Sequence, residues 1–192
     1  GRTLVVFKVH DILPGEMEFR EWLRDNAGEI LSRVGVGNSQ SVVDYGCGPG
    51  IFSVAAARAV GQSGRGYALD VRARALERLN ALAVQDGLTN LSTMLIDKST
   101  VSVALDDGTA DVVLLYDVLQ EIADKDGLMR ELHRILKPEG ILSVFPMHLG
   151  TDRLLDLVNA GGLFQVRDRL GYAGFQSASE IVNLTKRAQG TG

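Results

Sequence analysis

Residues 41–50 read SVVDYGCGPG, and the reading of these ten positions decides the fold. Ser41-Val42-Val43-Asp44 is a short run rich in β-branched residues, the composition of a buried central strand. Gly46, Gly48 and Gly50 follow at alternate positions. Glycine reaches positive φ and lets a ligand come close to the backbone, so such a turn can hold part of a nucleotide-like cofactor. Residues 51–60 (IFSVAAARAV) are Ala-rich with apolar residues at helical intervals, which completes a strand, glycine turn and helix in that order. A glycine turn alone is weak evidence. The second feature is the stretch 66–71 (GYALDV), another short strand that ends in an acid. Asp70 at that tip is placed to accept both hydroxyls of a ribose. The two stretches together read as a site for a nucleoside cofactor.

The glycine spacing selects among nucleosides. A dinucleotide fingerprint, G-x-G-x-x-G, would put its third glycine at position 51, which is Ile51. The pattern present is D-x-G-x-G-x-G, and VVDYGCGPG resembles the first motif of the class I S-adenosylmethionine-dependent methyltransferases, in particular the ubiquinone and menaquinone biosynthesis C-methyltransferases. The resemblance covers residues 35–187. It implies a single-domain Rossmann-like α/β fold: seven mostly parallel strands, helices on both faces and an antiparallel last strand. It also implies S-adenosyl-L-methionine as cofactor and S-adenosyl-L-homocysteine as product. Asp44, Tyr45, Gly46, Gly48 and Gly50 are then expected around the methionine moiety, where Asp44 supplies an acceptor for the amine. Asp70 and Val71 are expected at the ribose, and Tyr116 at the mouth of the site. Asp97 resembles the acid that accepts from the adenine amino group, with the backbone N–H of Lys98 donating to a ring nitrogen.

Composition bounds the rest. A chain of 192 residues, 45% hydrophobic and 23% charged, has room for one domain with a sizeable core. A net charge of −4 argues against a nucleic-acid substrate held on a basic face. One cysteine, Cys47, excludes an internal disulfide framework and a multi-thiolate metal site, and no acid and histidine cluster at metal spacing stands out. No apolar stretch is long enough to span a membrane and no signal-peptide pattern is visible, so the expected compartment is the cytoplasm.

Along the chain, residues 3–9 suit a strand or an ordered arm, and a turn surrounds Pro14. Apolar residues from Glu16 to Val34 predict one helix, or two broken at Asn26-Ala27-Gly28. The expected organisation is an arm and helix over 1–34 covering the cofactor, the cofactor-binding domain over 35–187, and a flexible tail over 188–192. Phe19 and Trp22 either shield the sulfonium with their ring faces or pack in the core. Further strands are predicted at 91–97, 111–116, 141–145, 164–170 and 180–186, and helices at 73–87, 123–136 and 151–159. A turn is read at Lys137–Gly140 and another at Gly174-Phe175. Strands alternating regularly with helices imply a parallel sheet covered on both faces.

Tyr116 and Asp117 follow the fourth strand, at the edge where open α/β sheets bind ligands. Position 120 is Gln120, where small-molecule methyltransferases frequently carry histidine, so a base at that position is not expected here. Among three histidines, His148 lies just beyond the fifth strand, and it is the candidate base for a methyl acceptor. A surface loop histidine fits the same description. The leading expectation is methyl transfer to a small-molecule acceptor. No inserted cap is expected over the site, which leaves open a protein or lipid substrate, or a lid from a second subunit of an oligomer. Two other classes compete: a cofactor-binding module without catalysis, and a nicotinamide-dependent oxidoreductase, which the glycine spacing disfavours.

Overall fold

The computed structural model describes residues 16–146, 148–171 and 180–188, with the side chains of 16–20 set aside. The strand expected over 3–9, the turn at Pro14, the Phe19 side chain, Met147, the turn at Gly174-Phe175 and residues 189–192 of the expected tail lie outside the described residues.

Seven strands form one sheet: β1 (Ser41–Tyr45), β2 (Arg65–Asp70), β3 (Leu91–Leu95), β4 (Ala110–Tyr116), β5 (Leu136–Phe145), β6 (Phe164–Gly171) and β7 (Glu180–Lys186). Their order is β3-β2-β1-β4-β5-β7-β6. Neighbours from β3 to β5 pair in parallel, while β7 runs antiparallel to both β5 and β6. The expected sheet with one reversed last strand is the one observed. Chain order reverses between β1 and β4, and that reversal opens a crevice beyond the strand tips.

Helices α1 (Glu16–Val34), α2 (Ile51–Val60), α3 (Ala73–Gln85), α4 (Lys125–Ile135) and α5 (Thr151–Gly161) cover the sheet. Alternation along each strand divides the core in two. Val43, Val113, Leu115, Leu142, Val144 and Val182 pack with Leu128 and Leu132 of α4 and Leu154 of α5. On the other face Val42, Val112, Leu114, Phe145 and Ile181 meet Ile30, Leu31 and Val34 of α1 and Ala56 and Val60 of α2. The central strands are buried on both faces, which is why residues 112–115 of β4 read as an unbroken apolar run.

One local alternative is decided and two expectations change. α1 is one continuous helix through Asn26-Ala27-Gly28: Ala27 is buried, and the Asn26 side chain donates to the Trp22 carbonyl at 2.7 Å. The regular alternation fails between β3 and β4, where residues 96–109 cross without a helix. Val101, Val103 and Leu105 of this strap pack on the core. Two residues of α4 pin it: Arg134 donates to the Val103 and Leu105 carbonyls at 3.0 and 2.9 Å, and Glu131 accepts from the Val103 N–H at 2.7 Å. Finally, β5 begins at Leu136, and Lys137–Gly140 form an irregularity in its pairing with β4 rather than a separate turn.

Candidate active site

The turn after β1 is held by its own protein before any ligand arrives. Gly46, Gly48 and Gly50 have φ of 75°, 54° and 81°, a region that side chains rarely adopt. A Cβ on Gly46 would lie 2.7 Å from Cγ2 of Val118, and one on Gly50 would lie 2.4 Å from Cδ1 of Leu79. Internal packing therefore demands the two outer glycines. A Cβ on Gly48 would meet nothing nearer than Nη2 of Arg72, at 3.7 Å. Room for a ligand is at the middle glycine. The N–H groups of Gly46 and Cys47 donate to the Leu69 carbonyl at 2.8 and 2.9 Å and tie the turn to β2.

Two buried carboxylates flank this turn. Asp70 is 3% exposed, and its oxygens accept from the N–H of Gly48 (2.9 Å), the N–H of Arg72 (2.9 Å) and Nε and Nη2 of Arg72 (3.0 and 3.2 Å). Burial works to raise its pKa, but the Arg72 and Gly48 bonds prevail and hold the carboxyl below the ordinary range. It stays ionised. The Arg72 side chain is 64% exposed, so it can leave these oxygens while the backbone donors remain. Asp44 accepts from the Ser53 hydroxyl at 2.6 Å. Burial pushes its carboxyl up to about 6, with the Ser53 bond pulling it down and the Asp70 charge adding to the rise. The Tyr45 ring turns to the opposite face of the sheet and is buried in the α4 side of the core, so only its backbone belongs to the turn.

At the tips of β2 and β3, Val71 and Leu95 are 36% and 63% exposed. Asp70 and Leu95 are register partners, and the Ile96 N–H bonds to the Asp70 carbonyl at 3.0 Å. This is an apolar ledge beside the acid. Asp97 lies two residues past β3 rather than within it, and its carboxylate accepts from the Ser99 N–H at 2.8 Å, which lowers its pKa. Lys98 is exposed beside it. Acids, backbone donors and an apolar ledge in this arrangement suit a nucleoside that carries a cationic tail.

The second half of the crevice belongs to β4 and β5. Tyr116 makes edge-on contacts with Phe52 (centroids 4.9 Å apart) and Phe145 (6.2 Å), and its hydroxyl pairs with that of Ser143 at 2.8 Å. Trp22 packs on the same cluster. Asp117 follows with φ of 54°, a left-handed turn that Asp tolerates better than most residues. Its Oδ1 lies 2.6 Å from Nδ1 of His148, and Gln120 Nε2 donates to the same oxygen and to the Asp117 carbonyl, both at 2.9 Å. Burial pushes the Asp117 carboxyl up, while the His148 and Gln120 bonds pull it back. The Gln120 Oε1 atom is buried and without a hydrogen-bond partner. His148 thus stands at the crevice as expected, but paired. Sequence reading missed that pairing, the Arg72 contact with Asp70 and the Ser53 contact with Asp44. A usable signal for the first was that Asp117 and His148 each closely follow strands that prove to be neighbours, with Tyr116 opposite Phe145.

Among the described residues, no group of three or more His, Cys, Asp or Glu could hold a metal ion, and no helix is long and apolar enough to cross a membrane.

A family model described as a methyltransferase domain matches residues 43–144, more than half of the chain. The demethylmenaquinone methyltransferase of Geobacillus sp. (strain WCH70) is 27% identical over 135 residues, covering 70% of this chain and 56% of that protein. The ubiquinone/menaquinone biosynthesis C-methyltransferase of Haemophilus ducreyi is 31% identical over 114 residues, covering 57% of this chain and 42% of that protein. The chain spans about half the length of the curated relatives it matches. A crystal structure of an S-adenosylmethionine-dependent methyltransferase from Aquifex aeolicus superposes with a TM-score of 0.74 at 18% identity, over 91% of this chain and 99% of that one.

Proposed function

The chain belongs to the methyltransferase-domain family, and from that premise we propose that it methylates a small-molecule acceptor. S-Adenosylmethionine is the cofactor, and it supplies a methyl group bound to a sulfonium. The observation that carries the reading is the ionised, 3%-exposed carboxylate of Asp70, fastened to the middle glycine of the turn by the Gly48 N–H. In this proposal Asp70 accepts the ribose hydroxyls once Arg72 yields, and Val71 and Leu95 carry the adenine face. Asp97 and Lys98 bond the adenine edge. Asp44 and the backbone of Tyr45 to Gly50 receive the amine and carboxylate. The charge of Asp44 suits the ammonium and sulfonium groups.

The acceptor atom attacks in line while the methyl–sulfur bond breaks and its electron pair stays on sulfur. The enzyme's share is alignment and exclusion of water, for which Tyr116, Phe52, Phe145 and Trp22 form an aromatic wall. His148 Nε2 takes the proton that the acceptor atom gives up. Likeness to a demethylmenaquinone methyltransferase and to a ubiquinone/menaquinone biosynthesis C-methyltransferase supports a small-molecule acceptor.

Calorimetric titration tests the reading. S-Adenosylhomocysteine should bind in the micromolar range, about −8 kcal/mol, and NADH should not. A panel of small acceptors with labelled S-adenosylmethionine should then find one that takes the label. NADH binding without S-adenosylhomocysteine binding overturns the proposal.

A further inference from the structure

We propose that Asp117 and Gln120 are positioning residues that hold His148 in the tautomer with its proton on Nδ1, leaving Nε2 bare to accept a proton. The inference rests on the reading of His148 as the base. It starts from hydrogen-bond bookkeeping. Asp117 Oδ1 is a carboxylate oxygen and can only accept, so at 2.6 Å the Nδ1 of His148 must donate. In neutral imidazole the other nitrogen then has no proton. That is the less common tautomer for histidine free in water, so the site selects it.

Gln120 sets the carboxylate. Its amide nitrogen faces two acceptors, the Asp117 carbonyl and Oδ1, each at 2.9 Å. Reversing the amide would set oxygen against both, so the orientation is determined by its partners. The consequence is the orphaned Oε1, buried with nothing to bond. A buried acceptor left unsatisfied is destabilising, and an apolar side chain of the same size would avoid it. The fold keeps the amide nonetheless, at the one place where its N–H₂ fixes the acid behind the histidine. Asp117 itself is aimed by its left-handed turn and by the bond from its N–H to the Phe145 carbonyl at 3.0 Å. The carboxylate is thus fixed by β5 on one side and the Leu119–Glu121 turn on the other.

The test is the tautomer of His148, read from the ¹⁵N shifts of its ring at alkaline pH, with the assignment made by its loss in His148→Ala. Wild type should show a protonated Nδ1 and a bare Nε2. Asp117→Gly suits the left-handed backbone and deletes the acceptor, so it should shift His148 to a majority of the Nε2-protonated form. Gln120→Leu should give a mixture of the two. Thermal melts confirm that each variant is folded, and the melt has no bearing on the tautomer. A wild-type ring protonated on Nε2, or a spectrum unchanged in Asp117→Gly, overturns the positioning role whatever the turnover. Full turnover in His148→Ala overturns the base and leaves the spectra to decide the tautomer, so the two failures are separable.

Discussion

The crevice has two carboxylates at strand tips, Asp70 at the end of β2 and Asp117 just after β4, and they behave in opposite ways. Asp70 is the more deeply buried, yet its carboxyl is held down, because a guanidinium and two backbone N–H groups surround it. Asp117 is met by an imidazole and an amide, and burial keeps its carboxyl raised. The same side chain in the same kind of position is therefore ringed by a guanidinium and backbone donors on one side and paired with a histidine on the other. Donor identity separates them, more than depth. In the proposed function this difference splits the labour: the half built from β1 to β3 binds, and the half built from β4 and β5 handles the proton.

The largest test of that split is His148→Ala. Turnover should fall by roughly 10²- to 10⁴-fold, the usual share of acid–base catalysis, while calorimetry shows unchanged affinity for S-adenosylhomocysteine. A loss of affinity instead would erase the division between the halves. The converse variant is Asp70→Ala. Losing charge-assisted bonds to two ribose hydroxyls should cost about 2–3 kcal/mol in the same titration. Wild-type affinity in a folded Asp70→Ala protein would move the ribose elsewhere.

Asp44 sharpens the comparison because its burial is costly without a ligand. Its folded carboxyl is raised to about 6 from the ordinary 3.8. The folded state then holds the proton more tightly than the unfolded chain does. Stability conferred by this group is greatest below the ordinary value and declines as pH rises through about 6. Above that, the full penalty stands. Asp44→Asn should therefore raise the unfolding free energy at pH 7.5 by on the order of 1–3 kcal/mol, shrinking toward nothing near pH 4, while weakening S-adenosylhomocysteine. A lower melting temperature at pH 7.5 would show that the Ser53 bond outweighs the buried charge.

The smallest expected effect belongs to Arg72. Its side chain competes for both Asp70 oxygens but is 64% exposed, and exposed ion pairs are worth only about 0.2–1 kcal/mol. Arg72→Ala should tighten S-adenosylhomocysteine by a few-fold at most. Weaker binding would make Arg72 part of the cofactor site instead of its occupant.

What the sequence by itself determined lies mostly where neighbours in the chain act on one another. The strand, glycine turn and helix at 41–60 follow from β-branched residues, three glycines and an Ala-rich run. Asp70 at the end of the next strand follows from the same kind of local pattern. The alternation of strands and helices implied a parallel sheet covered on both faces, while its antiparallel last strand was implied by the resemblance to the methyltransferases. Tertiary structure alone decided how the site is wired. Asp117 and His148 stand 31 residues apart and meet because Tyr116 and Phe145 pair across β4 and β5. Gly46 and Gly50 are required by Val118 and Leu79, which no local pattern connects to them. The strap over 96–109 needed no helix once Glu131 and Arg134 were there to satisfy its backbone. Backbone conformation answers to adjacent residues, but a carboxylate's partners, and with them its charge, answer to the register of distant strands.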